Sequence, residues 1–115
     1  MTDLEQVEIQ IEMAEKLRKL RDNCVKLTAS ESWKDVIDTG YFKEEAARLV
    51  MAKSSNMTAD QKVLIDNMIY GIGALNNWIE SVMRRGAEMD QAVDEHEKTR
   101  EEILAEEVSK WINPH

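Results

Sequence analysis

The stretch from Thr58 to Ile112 constrains the fold more than any other, because it reads as one uninterrupted amphipathic helix. It opens Thr-Ala-Asp-Gln. Thr58 can accept a hydrogen bond from a free first-turn amide, and Gln61 can reach back to the N–H of Thr58, the reciprocal arrangement of a capping box. No proline follows until Pro114. Apolar residues recur at alternating steps of three and four, at Ile65, Met68, Ile72, Leu75, Ile79 and Val82. That heptad spacing keeps one stripe facing a partner helix. The seam thins through Met89, Val93 and His96 and returns at Ile103. A helix of roughly 50 residues would extend about 75 Å. A rod of that length cannot bury its seam alone; it needs another helix of this chain, a second copy or a different protein.

Composition agrees with long helices. Charged residues make up 33% of the chain, aromatics 5%, and there are 4 glycines and 1 proline. Period-two runs rich in Val, Ile, Thr and Tyr are absent, so the fold class is all-α. The net charge of −8 argues against nucleic acid as a partner, since affinity for phosphate backbones comes from Lys and Arg. Cys24 is the lone cysteine, which excludes an internal disulfide or a thiolate metal cluster. The opening Met-Thr-Asp-Leu-Glu has neither a basic nor an apolar leader pattern, and no stretch reaches the ~20 apolar residues of a membrane span. The expectation is a soluble protein of a reducing compartment, with no membrane contact.

Ahead of the long helix, a second amphipathic helix is expected over residues 3–27, with Asp3 as its cap. Its apolar positions are Leu4, Val7, Ile11, Ala14, Leu17, Leu20, Cys24 and Leu27. Two steps of three around Ala14 make this stripe drift, which suits packing against a helix pair. Glu12 with Lys16 and Glu15 with Lys19 are i,i+4 pairs of a solvated face. Ser30 or Ser32 can cap a short helix over 31–38, and Thr39-Gly40 supplies a stop. A further short helix is expected over 42–53, ended by Lys53-Ser54-Ser55-Asn56, before the long helix of 58–112. The arrangement expected is a single helical domain. It is a long antiparallel, coiled-coil-like hairpin, with two short helices wedged at its turn end by Trp33, Tyr41 and Phe42. The first helix is half as long as the second, so the acidic part after Arg85 is expected to project without a partner.

No spacing suggests a nucleophile–base pair, a cofactor loop or a metal site, and the chain is expected not to be an enzyme. Gly71 and Gly73 lack the GxGxxG pattern and follow no strand, leaving a close helix approach or a kink as their reasons. His96 sits on the seam among Asp94, Glu95 and Glu97 without an HExxH or ExxH spacing, and reads as a polar seam residue. Cys24 reads as a small core residue. The seven methionines fill core space or offer an adaptable binding face. Glu101, Glu102, Glu106 and Glu107 make the last third acidic. Beyond them Val108, Trp111 and Ile112 stand beside Asn113-Pro114, apolar side chains of the kind that anchor partners. They are the first candidate protein-binding residues; Tyr41, Phe42 and Arg48 form a second candidate patch.

The segment Asp38-Thr39-Gly40-Tyr41-Phe42-Lys43-Glu44-Glu45-Ala46-Ala47-Arg48-Leu49-Val50, with Leu17 to Asn23 and Tyr70 to Leu75, resembles small helical proteins encoded by tailed bacteriophages, often near their structural genes. The resemblance covers most of residues 4–93 and consists of packing motifs. It implies a phage origin, action in the host cytoplasm or the virion, and a role in particle assembly or as a minor virion component. Partners would then be portal, capsid, scaffold or tail proteins, or a second copy. It carries over no functional residue, and Trp111 lies outside it. The second expectation, from charge, is an acidic inhibitor that occupies the basic groove of a host nucleic-acid enzyme.

Overall fold

A computed structural model of the chain describes residues 2–54 and 56–112, and every regular element among them is helical. The order is α1 (Asp3–Ala29), α2 (Glu31–Trp33), a π-helix (Lys34–Glu45), α3 (Ala46–Ala52) and α4 (Ala59–Ile112). The chain divides into two compact units, Met1–Asn23 with Val82–His115, and Cys24–Ser81. The Asn113-Pro114 stop and the end at His115 lie outside the described residues, as does Ser55 of the connector.

In the first unit α1 runs antiparallel to the last part of α4. Thr2, rather than Asp3, caps α1, its Oγ1 accepting from the amide of Glu5 at 3.1 Å. Val7, Ile11 and Ala14 of α1 and Val82 and Val93 of α4 are the buried apolar residues of this unit, Val93 only 2% exposed. Asp3, Gln6, Val7 and Gln10 line one groove with Thr99 and Ile103. The acidic part of α4 therefore does not project unpartnered after Arg85. The seam continues at the same alternating spacing through Gly86, Met89, Val93, His96 and Ile103, and α1 lies along it. Glu12 and Lys16 form their expected i,i+4 pair at 3.8 Å on the exposed face.

In the second unit, the capping box at the start of α4 is closed in both directions. The amide of Gln61 donates to Thr58 Oγ1 at 3.2 Å, and the amide of Thr58 donates to Gln61 Oε1 at 2.9 Å. Ser30 caps α2 by accepting from the Trp33 amide at 3.2 Å. Leu49, Ile65 and Ile72 form the core, and Tyr41, Phe42, Ala46, Met57 and Ile69 pack against it. Cys24 is buried.

The expected stop at Thr39-Gly40 is overturned. Helical winding runs unbroken from Glu31 to Ala52, and no described glycine has a positive φ. Gly40 instead belongs to the π-helix, whose i→i+5 ladder brings carbonyls close beneath residues five later. A Cβ at Gly40 would stand 3.3 Å from the carbonyl oxygen of Asp35. The side chains follow the wider winding. Trp33 Nε1 donates to Asp38 Oδ1 at 3.1 Å. Trp33 meets Phe42 edge to face at a centroid distance of 6.4 Å. Nine residues make two and a half α-helical turns, which would set these rings on opposite faces. They make close to two turns at the roughly 4.4 residues per turn of a π-helix, which sets them on one face.

Gly71 and Gly73 do not mark a close approach of a neighbouring helix, because a Cβ at either would have nothing within 4 Å. Gly71→Ala is therefore expected to raise stability by about 0.5–1 kcal/mol through helix propensity alone. Urea unfolding followed by circular dichroism measures it, and a destabilised variant would contradict the open surroundings of Gly71.

Candidate functional site

Two arrangements in the first unit decide which side chains are covered and which stay exposed. The first is a polar clasp in the middle of the helix pair. Gly86 lets α1 come so close that a Cβ there would stand 2.2 Å from Cβ and 2.5 Å from Cγ of Arg21. Arg21 passes over this gap, and its guanidinium grips the carboxylate of Asp90, one turn beyond Gly86. Nη1 donates to Oδ2 at 2.8 Å and Nη2 to Oδ1 at 2.9 Å. Such bidentate geometry fixes orientation as well as distance. Nε of Arg21 donates to Asp22 Oδ1 at 2.8 Å, and Arg18 Nε reaches Asp90 Oδ1 at 3.0 Å.

The sequence carried a signal for this clasp. Val7, Ile11, Ala14, Arg18 and Arg21 keep alternating steps of four and three, and Gly86 fills the step between Val82 and Met89. The drift read around Ala14 arises from following Leu17 and Leu20 instead; Leu20 is exposed.

The hydrogen bonds from Arg21 hold the Asp90 carboxyl below the usual carboxylate range, and the same contact raises the pKa of Arg21. A carboxylate depressed in the native state adds its stability above the unfolded pKa of about 4, and loses it as pH falls through the native value. Asp90→Asn is thus expected to melt lower than the parent at neutral pH, with the gap closing only below about pH 4. Thermal melts across that range check this; a gap that persists in full into strong acid would contradict it.

The second arrangement follows from the register that the clasp sets. With Arg21 beside Gly86, Thr2, Asp3 and Leu4 lie beside Ile103, Glu106, Glu107 and Lys110. The turn of α4 after Lys110 therefore runs past the start of α1. Glu107, Val108, Trp111 and Ile112 line one apolar hollow there. Trp111 is 88% exposed, Ile112 69% and Val108 56%. The structure thus brings together the first set of candidate residues and leaves them uncovered.

The second candidate patch is only partly at the surface. Tyr41 and Phe42 are half-buried against the core of their unit, their ring centroids 6.0 Å apart. They lie there because the π-helix carries Phe42 onto the Trp33 side and both rings toward Leu49. Arg48 stays at the surface, where Nε donates to Glu45 Oε2 at 2.9 Å and Nη2 binds Oε1. That contact holds the Glu45 carboxyl below its ordinary range.

His96 is half-buried on the seam, and among the described residues no group of three or more His, Cys, Asp or Glu is placed to hold a metal ion. Among the described residues no helix is long and apolar enough to cross a membrane. What the geometry defines is an all-α protein that leaves large apolar side chains, among them Trp111 and Ile112, exposed on otherwise charged helices. Comparison with family models, with curated proteins and with solved structures found no match to this chain.

Proposed function

We propose that this chain is a non-enzymatic bacteriophage assembly or minor virion protein, acting through helix-mediated contacts with another protein of the particle. The observation that carries the contact is the uncovered end of α4, where Val108, Trp111 and Ile112 form an apolar patch past the start of α1. Large exposed aromatic and aliphatic side chains on one helix face are the usual anchors of helix-in-groove recognition. The phage setting is supported by the resemblance of Asp38 to Val50 and its flanking segments to small helical phage proteins. Portal, capsid, scaffold and tail proteins are the partners that such a setting offers, and no cofactor is needed.

The test is affinity capture from infected cells, with mass spectrometry of purified particles in parallel. A chain truncated after Glu107 is expected to lose the captured protein while keeping nearly the same helicity. Undiminished capture would overturn the role of the α4 end.

The exposed Glu101, Glu102, Glu106 and Glu107, with the net charge of −8, favour a second reading: an acidic inhibitor of a host nucleic-acid enzyme. Salt separates the two. Binding to a basic groove falls steeply as ionic strength rises, whereas an apolar anchor holds.

A further inference from the structure

The inner face of α4 in the second unit is satisfied by the core of Leu49, Ile65 and Ile72. Its outer face is not. Residues 67–79 contain no charged side chain, although 33% of the chain is charged. The one acid bordering the stretch on its N-terminal side, Asp66, is paired with Lys53 Nζ at 2.7 Å. Along this outer face Val63, Asn67, Tyr70, Ala74 and Asn77 recur at heptad-compatible steps, and all five are exposed. Tyr70 is 78% exposed and Trp78, at the edge of the face, 49%. Asp66, Ile69, Tyr70, Gly73, Ala74 and Asn77 line a shallow groove there. The inner stripe is covered by the core, and the outer one, uncharged and mixed apolar and amide, is bare among the described residues.

We propose that the outer face of α4 between Val63 and Trp78 pairs with the same face of a second copy, antiparallel, about a two-fold axis level with Ile72. The face is complementary to itself under that operation. Tyr70 of one copy falls opposite Ala74 of the other, a large side chain against a small one, and Asn67 falls opposite Asn77, where two amides can exchange hydrogen bonds. Gly73 flanks the crossing and lets the backbones approach, which accounts for a mid-helix glycine that has no neighbour within its own chain. Charge selects the place. Two copies each carrying −8 repel, so they meet over the uncharged stretch 67–79, where the bordering Asp66 is already neutralised by Lys53. A two-fold, same-patch contact is also the commonest form of self-association.

Sedimentation equilibrium and light scattering of the full chain are expected to give a dimer. Tyr70→Glu and Ala74→Glu each place a carboxylate inside the contact and are expected to weaken the dimer about tenfold or more, with helicity by circular dichroism unchanged. Trp111→Ala lies outside this face and is expected to leave the dimer intact, so failure here is distinct from failure of the α4-end contact. Orientation is tested by cysteine pairing in a Cys24→Ser background. A mixture of Asn67→Cys and Asn77→Cys chains is expected to form a cross-linked dimer under mild oxidation, and neither chain alone. A monomer at all concentrations would overturn the proposal. A dimer that withstands both glutamate substitutions would do so too, as would cross-linking of the single-cysteine chains in place of the mixture.

Discussion

Gly86→Ala is expected to destabilise the protein by about 2 kcal/mol, lowering the melting temperature by several degrees. The added methyl would lie 2.2 Å from Arg21 Cβ, far inside van der Waals contact. A Cβ cannot swing aside as the end of a long side chain can, so the two helices must part or slide. Overpacking of this kind costs typically about 1–3 kcal/mol, with the largest values where backbone has to move. Against it stands a gain of about 1 kcal/mol in helix propensity for the same exchange. The clash outweighs the gain because Asp90 and Val93 share the same stretch of α4. Moving it away from α1 lengthens the Arg21–Asp90 hydrogen bonds and uncovers the most deeply buried side chain of the unit. Arg21→Ala should not rescue the variant, since the clashing atom nearest to Gly86 remains. Thermal and urea unfolding measure all three proteins. A neutral or stabilised Gly86→Ala would mean that α1 and α4 do not cross in this register.

Leu49→Ala should cost about 2–4 kcal/mol, and the loss should be felt in the second unit. Leu49 is 4% exposed, and with Ile65 and Ile72 it makes the buried cluster against which Tyr41 and Phe42 rest. Removing its branched end leaves a cavity bounded by rings that the π-helix holds in place through the Trp33–Asp38 hydrogen bond and the Trp33–Phe42 contact. A site so bounded collapses poorly, which places the cost above the bare transfer term. Val50→Ala and Met51→Ala on the same helix provide the contrast. Both positions are exposed, and both changes should stay within about 0.5 kcal/mol. Amide hydrogen exchange localises the effect. Protection should fall over 41–52 and 59–72 while the amides near Val93 keep theirs. A uniform loss, or none, would contradict the core as described.

Local chemistry was legible in the residues. Thr58 and Gln61 announce their reciprocal hydrogen bonds because a capping box involves only neighbours in sequence. Val7, Ile11, Ala14, Ile65, Ile72, Val82 and Val93 announce their burial by spacing. The all-α class and the helical hairpin follow from the same pattern. Glycine was less legible, because its helical cost is visible in sequence and its benefit is not. Gly40, Gly71, Gly73 and Gly86 look alike as letters. One relieves a carbonyl in a π-turn, one admits Arg21, and two face open space within the chain.

The all-α class, the start of α4 at Thr58 and part of the apolar stripes were thus settled by the sequence itself, since each depends on residues within a turn or two of one another. The cap at Thr2, the winding through Thr39-Gly40 and the exposure of Leu20, Leu27 and Met68 were not. Which part of α4 receives α1 was settled only by tertiary structure. A heptad seam repeats every seven residues, and several registers would bury the same apolar stripe about equally well. The choice among them rests on one coincidence in space: a missing side chain at Gly86, an arginine at Arg21 to fill it, and a carboxylate at Asp90 one turn on to hold the guanidinium. That single alignment lays α1 along the seam of the acidic third of α4, its carboxylates still in solvent, while leaving the last apolar turn bare.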